Sequence, residues 1–146
     1  MKKQLISQAL ESHLSELVSM SDQIYDFAEP GMEEIQSSRL LTEYLKAKGF
    51  EVECGIAGLP TAFRAVYEQG SGGPSFGFLA EYDAIKDIGH ACGHHIQGPS
   101  VIGAALALCD VCGEEPYKIV IYGTPAEETI GGKIIMKEKG CFQDID

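Results

Sequence analysis

The stretch Ser75-Phe-Gly-Phe-Leu-Ala80 indicates the fold of this chain, because it is a short apolar run of the length expected for a buried strand. A second apolar run at residues 117–122 predicts another buried strand. Between them, residues 99–112 are rich in Ala and Leu and predict a helix. Helices that alternate with buried strands are typical of α/β proteins. We therefore predict an α/β fold, a three-layer sandwich with a largely parallel central sheet.

The sequence on either side of this unit continues the alternation of helices and strands. Glu29-Pro30-Gly31 separates two amphipathic patterns, because Pro and Gly are poor residues for a helix interior. Gly70-Ser-Gly-Gly-Pro74 predicts a turn and not a phosphate-binding loop, since no helix with Lys and Ser or Thr follows it. Residues 88–98 predict a loop. The other predicted elements are helices at 5–27 and 32–48, strands at 50–54 and 62–67, and a helix at 131–139.

The composition is that of one ordinary globular domain with an acidic surface. The 146 residues are 45% hydrophobic and 23% charged, and the formal net charge is −11. Such a chain should repel nucleic acids and anionic membranes, which are bound largely through Lys and Arg. No apolar segment approaches the ~20 residues that span a bilayer, and no secretory signal is visible. With five cysteines in no regular framework, we expect a cytoplasmic protein with reduced thiols.

The first group of residues suited to chemistry follows the 75–80 strand. It consists of Glu81-Tyr-Asp83 and of His90-Ala-Cys92-Gly-His94-His95. Thiol, imidazole and carboxylate groups are the sulfur, nitrogen and oxygen donors that zinc binds. Gly93 relaxes the backbone between the donors Cys92 and His94. The alternative interpretation is that this His-rich loop is only polar surface.

The second group is Thr124-Pro-Ala-Glu127-Glu128, at the end of the later predicted strand. Adjacent carboxylates on irregular backbone point in different directions, so one can bind a metal while the other acts as a general base. The alternative is a solvated pair of carboxylates. Functional loops leave the carboxyl ends of the strands in α/β sheets, and both groups follow predicted strands. This placement favours a metal-dependent hydrolytic site.

Five ordered blocks resemble the zinc aminoacylase and carboxypeptidase-G type of metallohydrolases. Within that type, the similarity is to the amidohydrolases that include hippurate hydrolases, p-aminobenzoyl-glutamate hydrolases and related dipeptidases. The blocks are Glu29-Pro-Gly-Met-Glu-Glu34, Gly55-Ile-Ala-Gly-Leu-Pro-Thr-Ala-Phe63, Phe78-Leu-Ala-Glu-Tyr-Asp-Ala84, Gly89-His-Ala-Cys-Gly-His94 and Gly123-Thr-Pro-Ala-Glu-Glu128. The resemblance runs from about residue 20 to the last residue.

The resemblance implies roles for five side chains. They are the metal ligands Cys92, His94 and Glu128, the general base Glu127, and Asp83, which does not bind the metal but fixes the orientation of a ligand. The implied cofactor is zinc, two ions per complete site in relatives, with manganese, cobalt or nickel as alternatives. The soft Cys92 thiolate favours zinc among these metals. His90 and His95 receive no role.

The implied reaction is hydrolysis of an amide bond in an N-acyl amino acid or a dipeptide-like substrate, by metal-activated water with Glu127 as the general base. Relatives are considerably longer, so residues 1–146 are expected to be the N-terminal portion of a catalytic domain, without the lid and dimerisation domain. We expect the chain alone to be inactive and to self-associate through an uncovered sheet edge and apolar helix faces. The alternative is a non-catalytic metal-binding or interaction module that pairs with a separate partner.

Overall fold

The computed structural model describes residues 2–146, in which helices cover both faces of one sheet. In chain order the elements are α1 (Lys2–Phe27), α2 (Ile35–Ala47), β1 (Glu51–Cys54), β2 (Phe63–Gln69), β3 (Ser75–Ala80), α3 (His94–Val111), β4 (Tyr117–Gly123) and α4 (Gly132–Glu138). A short 3-10 turn, Ile56–Gly58, lies between β1 and β2. None of the helices in the described range is long and apolar enough to cross a membrane.

The sheet is mixed, whereas the sequence predicted a largely parallel one. Its strand order is β1-β2-β4-β3, and β3–β4 is the one parallel pair in the described part of the chain. Parallel neighbours need a long crossover, usually a helix, and β3–α3–β4 is such a unit. β1 returns to β2 through a short link, which suits antiparallel pairing. The α/β class is therefore confirmed, and the strand orientation is corrected.

The sheet lies between two helical layers, as predicted for a three-layer sandwich. On β4, Tyr117, Ile119 and Ile121 face the core formed with α1, α2 and α3. Val120 and Tyr122 face a second core formed with α4. Successive strand residues point to opposite faces, so β4 is buried on both sides. Each large apolar side chain that is fully buried contributes about 1.5–3 kcal/mol, and β4 is the centre of the fold for this reason.

The start of α2 is fixed by the carboxylate of Glu29, which lies in the break between the first two helices. Its Oε1 accepts the Gln36 N–H at 2.8 Å, and its Oε2 accepts the Ser37 N–H at 2.9 Å and the Ser37 hydroxyl at 2.8 Å. The first N–H groups of a helix lack partners within the helix. Glu29 supplies partners from outside the helix and thereby sets where α2 begins.

The helix α3 begins at His94, before the predicted start at residue 99. Gly93 precedes it with φ of 87°, a left-handed conformation that glycine adopts freely. The Gly93 carbonyl accepts the N–H groups of Ile96 and Gln97. The Gly- and His-rich composition of residues 88–98 predicts a loop, yet only residues 88–93 are non-helical, and Pro99 lies inside the helix. As a result, His94 lies on a helix and not on a free loop.

The carboxyl ends of β3 and β4 lie side by side. Ala80 pairs with Gly123 at the end of the parallel ladder, and the Thr124 N–H donates to the Ala80 carbonyl at 2.8 Å. Both chemistry-bearing segments therefore leave the same edge of the sheet. The turn at residues 70–74 lies at the opposite end, where Gln69 pairs with Tyr117.

Candidate metal centre

His94 is the residue around which the polar groups of the two strand-end segments are arranged. Its ring is buried in the first turn of α3. The Nδ1 atom lies 3.0 Å from the Asp83 backbone carbonyl oxygen and 3.1 Å from Asp83 Oδ1. Both oxygens accept hydrogen bonds, so Nδ1 carries the proton and donates. The lone pair of the neutral ring is therefore on Nε2.

Carboxylate oxygens surround the Nε2 atom of His94. Glu81 Oε2 is 3.2 Å away, and Glu127 Oε2 and Glu128 Oε1 are each 3.9 Å away. The ligand atoms of His94, Glu127 and Glu128 all lie within 4.8 Å of one another. A lone pair that faces several carboxylate oxygens is electrostatically unfavourable unless a proton on Nε2 or a metal ion lies among them. The arrangement therefore favours a bound cation.

A divalent metal ion fits this set of donors. Two ligands bound to one tetrahedral ion at about 2.0–2.1 Å are separated by roughly 3.3 Å. The distance between His94 Nε2 and Glu81 Oε2, 3.2 Å, is close to this separation. Imidazole nitrogen and carboxylate oxygen are ligands for zinc and for related divalent ions. The residues present therefore suit a metal ion, with Nε2 as the ligand atom of His94.

Asp83 connects the two segments that form the centre. Its side chain is fully buried; Oδ1 accepts from His94, and Oδ2 accepts the Glu128 N–H at 3.0 Å. A carboxylate behind a metal-binding histidine commonly fixes the tautomer and the orientation of the ring. Asp83 is placed to do this for His94 and at the same time to hold the backbone of Glu128.

Glu127 and Glu128 differ in their exposure to solvent. The side chain of Glu127 is 39% exposed and that of Glu128 is 23% exposed. The pair follows Ala126, whose φ of 58° places it in the left-handed region. The more enclosed Glu128 is suited to hold an ion, and the more accessible Glu127 is suited to meet a substrate.

Cys92 lies outside the cluster formed by His94, Glu127 and Glu128 in the described part of the chain. Its thiol is exposed and forms a hydrogen bond with the Glu128 carboxylate, which is the main reason that the pKa of the thiol is raised. Metals bind the thiolate and displace its proton. Coordination by Cys92 would therefore require this hydrogen bond to be replaced, and its role as a ligand stays a prediction.

Glu81 and Lys133 are at the centre but received no role from the sequence. The Lys133 ammonium pairs with Glu81 Oε1, while Glu81 Oε2 faces His94. Lys133 belongs to α4, on the other face of the sheet, and nothing in its local sequence indicates this contact. Glu81 could have been identified, because it lies beside Asp83 at the same strand end. Its pairing with Lys133 holds its carboxylate next to His94.

His90 and His95 form an aromatic cluster with Tyr25 of α1. The ring centroids of the two histidines are 5.1 Å apart, and that of Tyr25 is 5.1 Å from His95. His90 Nε2 donates to the Ile24 carbonyl at 3.0 Å. Burial is the main reason that the pKa of His90 is lowered. These contacts hold the 88–93 loop against α1 and lie beside the metal-ligand cluster.

Over nearly its whole length the chain is similar to curated hydrolases. It is 33% identical to the Xaa-Arg dipeptidase of Mus musculus, over 99% of this chain and 36% of that protein. It is 31% identical to a p-aminobenzoyl-glutamate hydrolase of Escherichia coli, over 97% of this chain and 33% of that protein. The chain therefore spans about a third of the length of the curated relatives it matches. No protein-family model matches the chain.

The fold is similar to that of a peptidase from Bacillus subtilis, described as a dinuclear metal-binding peptidase from the M20 family. The TM-score is 0.78, and the match covers 93% of this chain and 42% of that one. At 22% sequence identity, the likeness concerns the fold. The described α/β architecture is therefore one that occurs within a larger metal-binding peptidase.

Proposed function

The chain is a partial match to the M20 metallopeptidases, the zinc aminoacylase and carboxypeptidase-G type, and from this premise we propose that it carries part of the catalytic centre of a metal-dependent amidohydrolase. The names of the relatives describe cleavage of dipeptides and of p-aminobenzoyl-glutamate. Both compounds contain an amide bond next to a free carboxylate. The proposed substrates are accordingly N-acyl amino acids and dipeptides.

One observation carries this proposal. The Nδ1–H of His94 is bound by Asp83, and the free Nε2 atom faces carboxylate oxygens of three glutamates at 3.2–3.9 Å. A solvated acidic patch, the alternative interpretation of these glutamates, would not direct a buried lone pair at them. The arrangement is suited to a metal ion.

We assign the proposed roles as follows from contacts and exposure. His94 and Glu128 hold the metal, together with Cys92 once its thiol is deprotonated. Asp83 orients His94 and Glu128 through its two oxygens. When bound, a divalent metal lowers the pKa of a water molecule and polarises a substrate carbonyl.

Glu127 is the proposed general base. Its carboxylate is the more exposed of the pair and lies 3.9 Å from His94 Nε2, so it reaches the space in front of that nitrogen. It accepts a proton from the attacking water and returns it to the amide nitrogen as the amine leaves.

Zinc is the proposed metal, with manganese, cobalt and nickel as the alternatives. A donor set of one imidazole and one or more carboxylates is accepted by all four ions. The thiolate of Cys92 would shift the preference toward zinc, because zinc binds sulfur more readily than manganese does.

We propose that the 146 residues alone bind metal without turnover. Residues 2–146 provide one tight cluster of three metal-capable side chains, and one of these, Glu127, is the proposed general base. Two ions at a complete site need more donors than this. A non-catalytic metal-binding or interaction module predicts the same metal uptake. Turnover of an Xaa-Arg dipeptide by the zinc-loaded chain, lost in Glu127→Gln, would refute both the module and the proposed inactivity.

Two further proposals concern the surroundings of the protein. A cytoplasmic location is proposed because five cysteines in no regular framework suit a reducing compartment better than a disulfide scaffold. No strand pairs with the outer edge of β3 among residues 2–146, and only Asp146 and the Gln97 side chain bond to the backbone there, at Ser75 and Leu79. This supports self-association, because strand edges recruit other strands.

The first test is zinc binding measured by native mass spectrometry. We expect the wild-type chain to take up zinc at micromolar metal, and His94→Asn to lose this uptake. The matched control is His13→Asn, which removes a histidine that pairs with Asp110 away from the centre. Equal uptake by all three proteins, or none by the wild type, would overturn the proposed metal centre.

A further inference from the structure

The loop that presents Glu127 and Glu128 is held by a second buried carboxylate, that of Glu34. Glu34 belongs to the Glu29–Glu34 segment between α1 and α2, which has no part in the proposed chemistry. Its side chain is fully buried. Such a group needs partners for its oxygens, because an unpaired buried charge is strongly unfavourable.

Both oxygens of Glu34 have partners, and one partner is on the catalytic loop. Oε1 accepts the Ala126 N–H at 2.8 Å, and Oε2 accepts the Thr61 hydroxyl at 2.9 Å. Asp83 Oδ2 in turn accepts the Glu128 N–H. Two buried carboxylates therefore bind the amides on either side of Glu127.

The first of these amides belongs to a residue in a conformation that alanine seldom adopts. Ala126 has φ of 58°, and a left-handed conformation costs a non-glycine residue roughly 1–2 kcal/mol. Its carbonyl accepts the N–H groups of Thr129 and Gly131, which tightens the same turn. A conformation of this kind persists only when its surroundings enforce it. The Glu34 carboxylate is the buried group bonded to its N–H.

The segment that carries Glu34 also packs directly against this loop. A Cβ atom added to Gly31 would lie 2.9 Å from the Cα and Cβ atoms of Ala126 and 2.7 Å from Thr129 Oγ1. At its other end, the Glu29 carbonyl accepts the Ala84 N–H at 2.8 Å, one residue after Asp83. The segment therefore contacts both strand-end loops.

From these contacts we propose that Glu34 is a positioning residue: by holding the Ala126 amide, it keeps the loop in the left-handed turn that places the Glu127 and Glu128 carboxylates beside His94. The proposal rests on the proposed roles of those two glutamates. It does not require Glu34 to be charged. Burial, the largest influence, raises the pKa of Glu34, and either form of the carboxyl group can accept from Ala126.

The chain offers a matched pair of variants. Glu34→Met removes both acceptors at similar volume, whereas Glu34→Gln keeps an oxygen for Ala126 and a nitrogen that can donate to the Thr61 hydroxyl. The control is Glu29→Met, because Glu29 is also buried and also bonds to backbone amides, but to those at the start of α2.

Amide hydrogen exchange of the metal-free protein tests the positioning directly. Glu34→Met should speed exchange at Ala126 and Gly131 by about tenfold or more, since exchange reports local opening, and leave Ser37 unchanged. Glu29→Met should speed exchange at Ser37 and leave Ala126 and Gly131 unchanged. Exchange in Glu34→Gln should resemble that of the wild type. The same exchange at Ala126 in both methionine variants would overturn the proposal. This measurement does not depend on metal binding.

Zinc titration of the same proteins tests the consequence for the site. Zinc should bind Glu34→Met about 10–100-fold more weakly than the wild type, because this loss is typical when a group that orients metal ligands is removed. The zinc affinities of Glu34→Gln and Glu29→Met should stay within about threefold of the wild type. Unchanged zinc affinity in Glu34→Met would overturn the proposal. Absence of zinc binding in the wild type would instead refute the proposed function, while hydrogen exchange would still decide on Glu34.

A second variant covers the case in which Glu34→Met does not fold. Gly31→Ala leaves the carboxylate in place but pushes a methyl group against Ala126 and Thr129. Like Glu34→Met, it should speed amide exchange at Gly131 and weaken zinc binding. Wild-type exchange and wild-type zinc affinity in Gly31→Ala would show that this segment does not position the loop.

Discussion

The two ring nitrogens of His94 have different partners, and this difference separates two kinds of residue at the centre. Asp83 contacts Nδ1 and acts on the orientation of the ring, whereas the glutamates face Nε2, where an ion would bind. Glu127 and Glu128 differ in their backbone contacts and not in their distance from Nε2. Each is 3.9 Å away, but Glu128 alone of this pair has its backbone fixed by Asp83.

Glu128→Gln should weaken zinc binding more than Glu127→Gln does. A neutral amide is a poor substitute for a carboxylate ligand, so we expect a loss of at least about tenfold for Glu128→Gln. A general base is not required for holding the ion, so Glu127→Gln should stay within about threefold of the wild type. Isothermal titration calorimetry measures both affinities. Equal losses in the two variants would contradict the division of roles.

Glu34 should make stability depend on pH. Burial raises its pKa in the folded chain above the ordinary value of 4.5. Well below pH 4.5 the Glu34 carboxyl group is protonated in both the folded and the unfolded chain. As the pH rises toward the pKa of the folded chain, the unfolded chain releases this proton first. The free energy of unfolding therefore falls across this window. The stability of the wild type relative to Glu34→Gln should fall as the pH rises above 4.5 in urea titrations, and a rise would contradict the burial effect.

At the scale of elements, α3 carries His94 at one end and packs into the core along its length. Ile102 is fully buried there, whereas Ile96 on the same helix is 54% exposed. Ile102→Ala should lower the free energy of unfolding by about 2–5 kcal/mol, because it leaves a cavity. Ile96→Ala, the control, should change it by less than about 0.5 kcal/mol. Urea denaturation followed by circular dichroism measures both, and equal effects would contradict this packing.

Local patterns in the sequence predicted the helices and strands, because apolar spacing reports which face of an element is buried. The parallel or antiparallel orientation of the strands was harder to predict from the sequence. It depends on which strands become neighbours, and the antiparallel pairing of β2 with β4 joins residues far apart in the chain. The start of α3 was misplaced because the composition around Gly93 and Pro99 resembles that of a loop, while packing extends the helix.

The two loops that form the site could be identified from their position after strands, but the contacts between them could not. Asp83 and the Glu127–Glu128 pair are visible as polar residues at strand ends. The hydrogen bond from the Ala126 amide to Glu34 joins residues 92 positions apart. No local pattern indicates such a bond. The same holds for the contact between Lys133 and Glu81, which joins a residue of α4 to the end of β3.

At the scale of the whole molecule, exposed apolar surface favours self-association and the net charge opposes it. Phe76 and Leu79 on the edge strand β3 are 46% and 40% exposed, and the formal net charge of −11 opposes contact between copies. Salt shortens the range of this repulsion from about 10 Å at 0.1 M to about 3 Å at 1 M. Self-association should therefore increase with salt.

Light scattering across protein concentrations, at low and high sodium chloride, measures this association. Leu79→Lys places a charge on the open strand, a common means of blocking edge pairing, and should return the chain to monomer. Ile35→Lys, at an exposed position on α2, is the control and should not. A monomer at all salt concentrations would contradict self-association through β3.

The turn at residues 70–74 is a suitable place to attach the protein to a surface. It lies at the end of the sheet opposite the proposed metal centre, and Gly72 has open space around it. A biotin-acceptor peptide inserted after Ser71 would attach the protein to a sensor surface with the metal centre facing the solution. Metal and substrate analogues could then reach every immobilised copy in the same orientation.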